Sequence, residues 1–289
     1  LEILKAIILG IVQGATEFLP ISSSGHLSVI QHFMNISGEG SLALTVFLHI
    51  GTLFAVAFVY YKTFIELIKE LGLTIKDIFT GKFTLKDLTP ERHMLYMMIL
   101  SCVPLLLILV PVGNDMRVKD VASSFSGDND IVLEGICFLI TAALLLLGTR
   151  KARKNKNPLD SVNPKSALAV GFAQFVAACM PGVSRSGSTI STGMICGVDK
   201  DYMVRYSFVL GTPAVLAASL MEFKDLFEGG DVAMQPLPIV IGIIVAAIVG
   251  VLSIKLLEML VKTDKFKLFG YYCLVIGVIV VVLGTIEKF

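Results

Sequence analysis

Between Glu17 and His26 the chain reads EFLPISSSGH, and between Pro181 and Thr189 it reads PGVSRSGST. The first stretch gathers a carboxylate (Glu17), three hydroxyls (Ser22, Ser23, Ser24) and an imidazole (His26). The second sets Arg185 between Ser184 and Ser186, with Thr189 one turn further on. Hydroxyls, helix-start N–H groups and an arginine make an anion site, and phosphate is the anion that best matches the guanidinium fork. A carboxylate or imidazole that moves protons, beside a serine or histidine that attacks phosphorus, would add phosphoryl transfer to anion binding. Glu17 is also the residue to hold a cation there, being the only carboxylate in its neighbourhood. Gln13, four residues before it, projects from the same helix face. The plainer alternative is a structural network, with Glu17 and Arg185 as a buried ion pair and serines satisfying the remaining lone pairs. Either way, ionisable groups in an apolar chain are costly and need an account.

The elements that must carry these residues follow from composition. Of 289 residues 55% are hydrophobic and 16% charged, a balance foreign to soluble domains and expected of an all-α integral membrane protein. A net charge of +1 gives no reason to expect nucleic acid. The five cysteines lie in apolar runs without paired spacing, which argues for inert buried thiols over disulfides or zinc. Runs near 42–61, 93–112, 131–149, 202–221, 238–258 and 268–286 reach the roughly 20 residues that a spanning helix needs. Two further apolar regions, 2–34 and 166–197, are interrupted at the polar stretches and read as re-entrant pairs of short helices. The first of these lacks a small-residue cleavage site and is not expected to be a signal peptide.

Segments 62–92, 150–165 and 262–267 carry 6, 6 and 3 Lys or Arg, whereas 113–130 carries two and 222–236 one. By the positive-inside bias the first three face the cytoplasm, an alternation that closes only if both broken regions re-enter and both termini lie outside. Tyr60, Tyr61, Tyr202, Tyr271 and Tyr272 fall at span ends, as an interfacial belt would. Segment 63–78 has the pattern of a helix lying on the cytoplasmic surface.

The two broken regions also resemble each other. GIVQGATEFLPISSSG and GFAQFVAACMPGVSRSG share Gly-x-x-Gln, a Pro seven residues after the Gln, and Ser-x-Ser-Gly, while FLHIGT at 47–52 is answered by FVLGT at 208–212. A single membrane domain is therefore expected, with repeat one over 1–149 and repeat two over 166–289. Each repeat has an odd number of spans, three, so the two run antiparallel and their polar turns meet near the bilayer midplane. His49 lies mid-span in FLHIGT and is either a cavity residue or a packed one, whereas His32 has no partner evident from sequence. His93 is expected to be solvated, and Lys200, Arg205, Lys255 and Glu258 to snorkel at span ends.

GxxQGxTEFLPxSSSGH and PGxSRSGxTI, one in each half of a chain of this length and hydropathy, resemble the undecaprenyl-diphosphatase (bacitracin-resistance) family over essentially the whole chain. The resemblance implies a phosphatase of the bacterial plasma membrane that converts the C55 isoprenyl diphosphate to the monophosphate and so recycles a lipid carrier for cell-wall synthesis. It also implies six spans with two re-entrant pairs, a site reached from the external face, a homodimer, and support by a divalent cation (Mg or Ca). Glu17, Ser23, His26 and Arg185 fall on the family's catalytic positions. Gln13, Ser22, Ser24, Ser184, Ser186 and Thr189 fall on its motif positions around the diphosphate. The position of Gln13 is Glu in part of the family, so Glu17 alone must supply whatever carboxylate chemistry is required here. The motif leaves open whether Ser23 or His26 attacks phosphorus. A flippase or transporter of polyprenyl phosphate would suit the same midplane site. A phosphatidate-type acid phosphatase is excluded, because SRSGSTIST lacks the histidine that family carries shortly after its SR.

Overall fold

A computed structural model describes residues 2–34, 39–111, 118, 131–180, 182–228 and 236–287. Helices dominate these segments, as they must in lipid, where a backbone deprived of water has to satisfy its own N–H and C=O groups. In chain order they are α1 (Glu2–Phe18), α2 (Ser23–Phe33), α3 (Glu39–Val59), α4 (Tyr61–Phe79), α5 (Pro90–Cys102), a short 3-10 helix (Pro104–Leu109), α6 (Val132–Lys154), α7 (Pro164–Cys179), α8 (Arg185–Ile195), α9 (Lys200–Glu228), α10 (Pro236–Lys262) and α11 (Lys267–Ile286). Among the described residues five helical segments are long and apolar enough to cross a membrane, or six if α3 and α4 count as one broken span. The chain is a multi-pass membrane protein.

Three features depart from or refine the expected pattern. The expected span 93–112 is not one α-helix, because α5 stops at Cys102 and the chain continues as a 3-10 turn from Pro104. Proline has no N–H to donate and its ring crowds the preceding turn, so the α-helix cannot run through it. The surface segment expected over 63–78 lies within α4, which is bent 85° from α3. Its Glu70 and Asp77 bind Arg92 of α5 at 2.7 and 2.9 Å, strapping the two helices together. Of the segments expected outside, 113–130 lies beyond the described residues apart from 118, whereas α9 continues through 222–228 and only 229–235 of the second lies beyond them.

The helices flanking the two polar stretches are short: 17 and 11 residues for α1 and α2, 16 and 11 for α7 and α8. At 1.5 Å per residue the shorter two reach only about 16 Å, half the bilayer core. Pro20 ends α1, while Pro181, its expected counterpart, lies outside the described residues. Both second helices start with the same device: Ser22 Oγ accepts the Gly25 N–H at 3.2 Å, and Ser184 Oγ accepts that of Gly187 at 3.0 Å. Each serine satisfies one of the donors that a helix start leaves unpaired.

Small residues bring the backbones together, as is usual where lipid removes the hydrophobic drive between helices. A Cβ on Gly14 of α1 would stand 2.6 Å from the Ala246 carbonyl of α10, and one on Gly135 of α6 would stand 2.8 Å from the Val281 nitrogen of α11. α10 thereby holds α1 and α3 on one side of the molecule, while α6 holds α11 and α8 on the other. The polar turns lie between these groups.

Candidate functional site

Glu17 lies in the last turn of α1 with its side chain 7% exposed, and groups from three other parts of the chain converge on it. Gln13, one turn back on α1, donates its Nε2 to Glu17 Oε2 at 3.1 Å, and Ser23 Oγ, at the start of α2, donates to the same oxygen at 2.7 Å. Arg185, the first residue of α8, donates Nη2 to Oε1 at 2.8 Å across 168 residues of sequence. His49 of α3 brings Nε2 to 4.0 Å of Oε2, its ring oriented by an Nδ1 donation to the Thr45 carbonyl at 3.0 Å. A carboxylate that accepts from an arginine, a serine and an amide is a strongly held anion, and each charge-assisted bond is stronger than its neutral equivalent. The Oε1 of Gln13 is buried without a hydrogen-bond partner among the described residues, an acceptor left over inside the cluster.

The two turns touch directly. Ser24 Oγ accepts the N–H of Gly182 at 3.1 Å, and Ser184 N–H donates to Thr141 Oγ1 of α6 at 3.1 Å. Two of the positive-φ residues lie at these turns, Ser22 at φ +75° and Gly182 at φ +106°. Non-glycine residues pay to hold such angles, and their occurrence at a site is a common sign of pre-organisation. Of the other predicted residues, Ser22 and Ser184 cap helices, with Ser24 and Ser186 at 3.5 and 3.4 Å from them. Thr189 turns away from the cluster: its hydroxyl bonds the Arg185 carbonyl at 2.9 Å and Ser207 of α9 at 2.6 Å.

His26 also faces elsewhere. Its Nδ1 donates to the Ser22 carbonyl at 2.7 Å, which leaves Nε2 as the acceptor of the Tyr272 hydroxyl at 2.8 Å. The Phe138 ring packs edge-on against it at 4.9 Å. Tyr272 is thus more than a belt residue, as is Tyr60, whose hydroxyl donates to Glu258 at 2.7 Å while Tyr61 and Tyr271 stay exposed. His32, without a partner evident in the sequence, pairs with Glu287 at 2.9 Å. Lys200 does not simply snorkel but pairs with Asp264. The buried Glu134 of α6, which accepts from Ser28 of α2 at 2.7 Å, was not singled out in the sequence. Its signal was available, since a lone acid inside an apolar span is rarely idle.

Below the cluster Phe18 and Phe208 meet edge-on at 5.4 Å, with Tyr60 against Phe208 at 6.2 Å. Between this aromatic layer and the Glu17–Arg185 pair lies a cavity of about 10 Å³, lined also by Thr52 and Gly211. That is room for one water at most. A larger cleft of about 540 Å³ opens between α4, the start of α5 and the start of α9, but no residue of the cluster lines it.

Among the described residues the side chains around Glu17 are arranged for hydrogen bonding to its carboxylate. Both Glu17 oxygens already accept hydrogen bonds, and no group of three or more His, Cys, Asp or Glu is placed to hold a metal among the described residues.

A family model described as bacitracin resistance protein BacA matches residues 6–279 of the chain. An undecaprenyl-diphosphatase of Methanosphaera stadtmanae is 38% identical over 290 residues, which cover 99% of each chain. One of Alkaliphilus metalliredigens is 36% identical over 282 residues, covering 98% of each. A third, of Halothermothrix orenii, is 36% identical over 288 residues, 99% of this chain and all of its own.

Proposed function

The chain belongs to the bacitracin resistance protein family, and from that premise we propose that it is an integral membrane phosphatase. It hydrolyses undecaprenyl diphosphate to undecaprenyl phosphate and inorganic phosphate, returning the lipid carrier to cell-wall synthesis. The observation that carries this reading is the single carboxylate, Glu17, bonded at once to the Ser23 hydroxyl of one turn and the Arg185 guanidinium of the other. In the free protein Glu17 and Arg185 neutralise each other. When a diphosphate enters, Arg185 turns from Glu17 Oε1 to the phosphoryl oxygens, a pairing its fork suits, and Glu17 is left free to accept a proton.

Ser23 is the nucleophile in this scheme, because its Oγ–H already points at Glu17 from 2.7 Å, whereas His26 Nε2 is occupied by Tyr272. Ser23 Oγ attacks the terminal phosphorus while its proton passes to Glu17. The bond from that phosphorus to the bridging oxygen breaks, and undecaprenyl phosphate leaves with the electron pair. Glu17 gives that proton up to the departing phosphate; water then attacks the phosphoserine and loses a proton to Glu17, which hands it to the serine oxygen as its bond to phosphorus breaks, releasing inorganic phosphate with Ser23 restored. No step runs through a metal. Any divalent cation is assigned to the substrate's phosphates, whose charged oxygens suit a hard cation.

The architecture that goes with this function is six spans and two re-entrant pairs, α1–α2 and α7–α8, in an inverted repeat reached from the external face. Its support lies in the matched serine caps at Ser22 and Ser184 and in the paired packing of α1 on α10 and α7 on α5. The protein is expected to act as a homodimer, which native mass spectrometry in lipid would count. The test of function is phosphate release from undecaprenyl diphosphate by the detergent-purified chain and by Ser23→Ala. Less than about one hundredth of the rate is expected from the variant. A rate near that of the unmodified protein would overturn the assignment of Ser23. Lipid transfer across sealed vesicles without phosphate release would favour the flippase reading instead.

A further inference from the structure

FVLGT at 208–212 repeats FLHIGT at 47–52, yet the phosphatase scheme uses nothing from it. Gly211 sits in the interior of α9, where glycine is the poorest helix former but one, and the poorest, Pro213, follows two residues later. A helix weakened twice at this level needs a reason. Among the described residues most glycines stand where a Cβ would meet backbone or core side chains. At Gly211 a Cβ would instead stand at covalent-bond distance from Arg185 Nη1, 2.6 Å from its Cζ and 3.1 Å from Nη2. The guanidinium therefore rests on the bare backbone of α9, and Gly211, Arg185 and Glu17 line the same small cavity.

We propose that Gly211 is a positioning residue: the side chain it lacks is the seat that fixes where the Arg185 guanidinium stands. Arg185 springs from the first position of α8, and among the described residues its guanidinium otherwise bonds Glu17, which it must release when phosphate arrives. The seat is what remains constant across that exchange, holding the fork at the depth where a phosphoryl group meets Ser23. This rests on the phosphatase reading for its role in turnover, but the seating of Arg185 is independent of the reaction.

The test is a cycle between Gly211→Ala and two changes of Arg185. In the unmodified background Gly211→Ala displaces the guanidinium by more than an ångström, and kcat/KM for phosphate release falls roughly 100-fold. In an Arg185→Lys background, which has no Nη1 to collide, the same change costs less than about threefold. Thermal unfolding in detergent gives a readout free of catalysis: Gly211→Ala lowers Tm beside Arg185, whereas with Arg185→Ala it leaves Tm unchanged or raises it, alanine being the better helix former. Equal losses in both backgrounds, or activity of Gly211→Ala within about threefold of the unmodified chain, would overturn the proposal. Should the unmodified protein release no phosphate, the phosphatase reading falls, and the Tm comparison alone decides the seat.

Discussion

Glu17→Gln is the perturbation that best separates chemistry from architecture. The amide keeps the size of the carboxylate but has one acceptor oxygen where Glu17 serves three donors, Gln13, Ser23 and Arg185. Its NH₂ must face at least one of them. Breaking a fully buried ion pair costs about 3–5 kcal/mol. Arg185 is 25% exposed, so water partly solvates it once its partner is gone, and the expected loss is nearer 1–2 kcal/mol. A chain of this size would lose only a few degrees of Tm. Removing the base should lower kcat by about 10²–10⁴, equivalent to roughly 3–5 kcal/mol of barrier. The two measurements therefore diverge, with turnover nearly abolished in a protein that still unfolds cooperatively close to the normal temperature. Phosphate release and detergent thermal unfolding on the same preparation are the assays. Turnover within threefold of the unmodified chain would refute the role of Glu17 as base. A collapse of Tm by more than about 10 °C would make the cluster chiefly structural.

Thr189→Val leaves the Ser207 hydroxyl buried without the partner it has at 2.6 Å, so it should cost about 1–3 kcal/mol of stability with little change in KM. A large rise in KM would place Thr189 at the substrate instead. Gly182→Ala forces a side chain onto φ +106° with its Cβ 3.0 Å from Cys137 Cβ, and should lower stability by about 1–3 kcal/mol in thermal unfolding. Outside the membrane, the hydrogen bond and charge of Lys200 hold Asp264 below its ordinary value of 3.8. A carboxyl depressed on folding stabilises above its unfolded value and loses that effect as pH falls through the folded one. The Tm difference between the unmodified chain and Asp264→Asn should thus be small but constant above about pH 5 and vanish in acid. A difference that grows on acidification would contradict the pairing.

The helical segments were legible because lipid leaves the backbone so few options: an apolar run of sufficient length must be helical, and Pro20 with the serine caps marks where one helix stops and the next starts. The break in 93–112 was equally written in Pro104, though the apolar run around it masked the signal. Gln13, Ser23, Glu17 and Arg185 were recognisable from their types, and the structure brings them together. Other details were not legible. His26 turned to Tyr272, 246 residues away, and Thr189 to Ser207. His49 joined Glu17 across the α1–α3 contact, and Gly211 came to lie under Arg185.

By itself, then, the sequence determined what is local: the solvent the chain lives in, which runs are helical, where the polar turns interrupt them, and which side chains are chemically able. Only the tertiary structure decided which of those side chains meet. The rotation of each helix about its axis is set by small-residue packing such as Gly14 against α10 and Gly135 against α11. A rotation of one residue, about 100°, would send Arg185 or His26 to different partners without altering any local pattern.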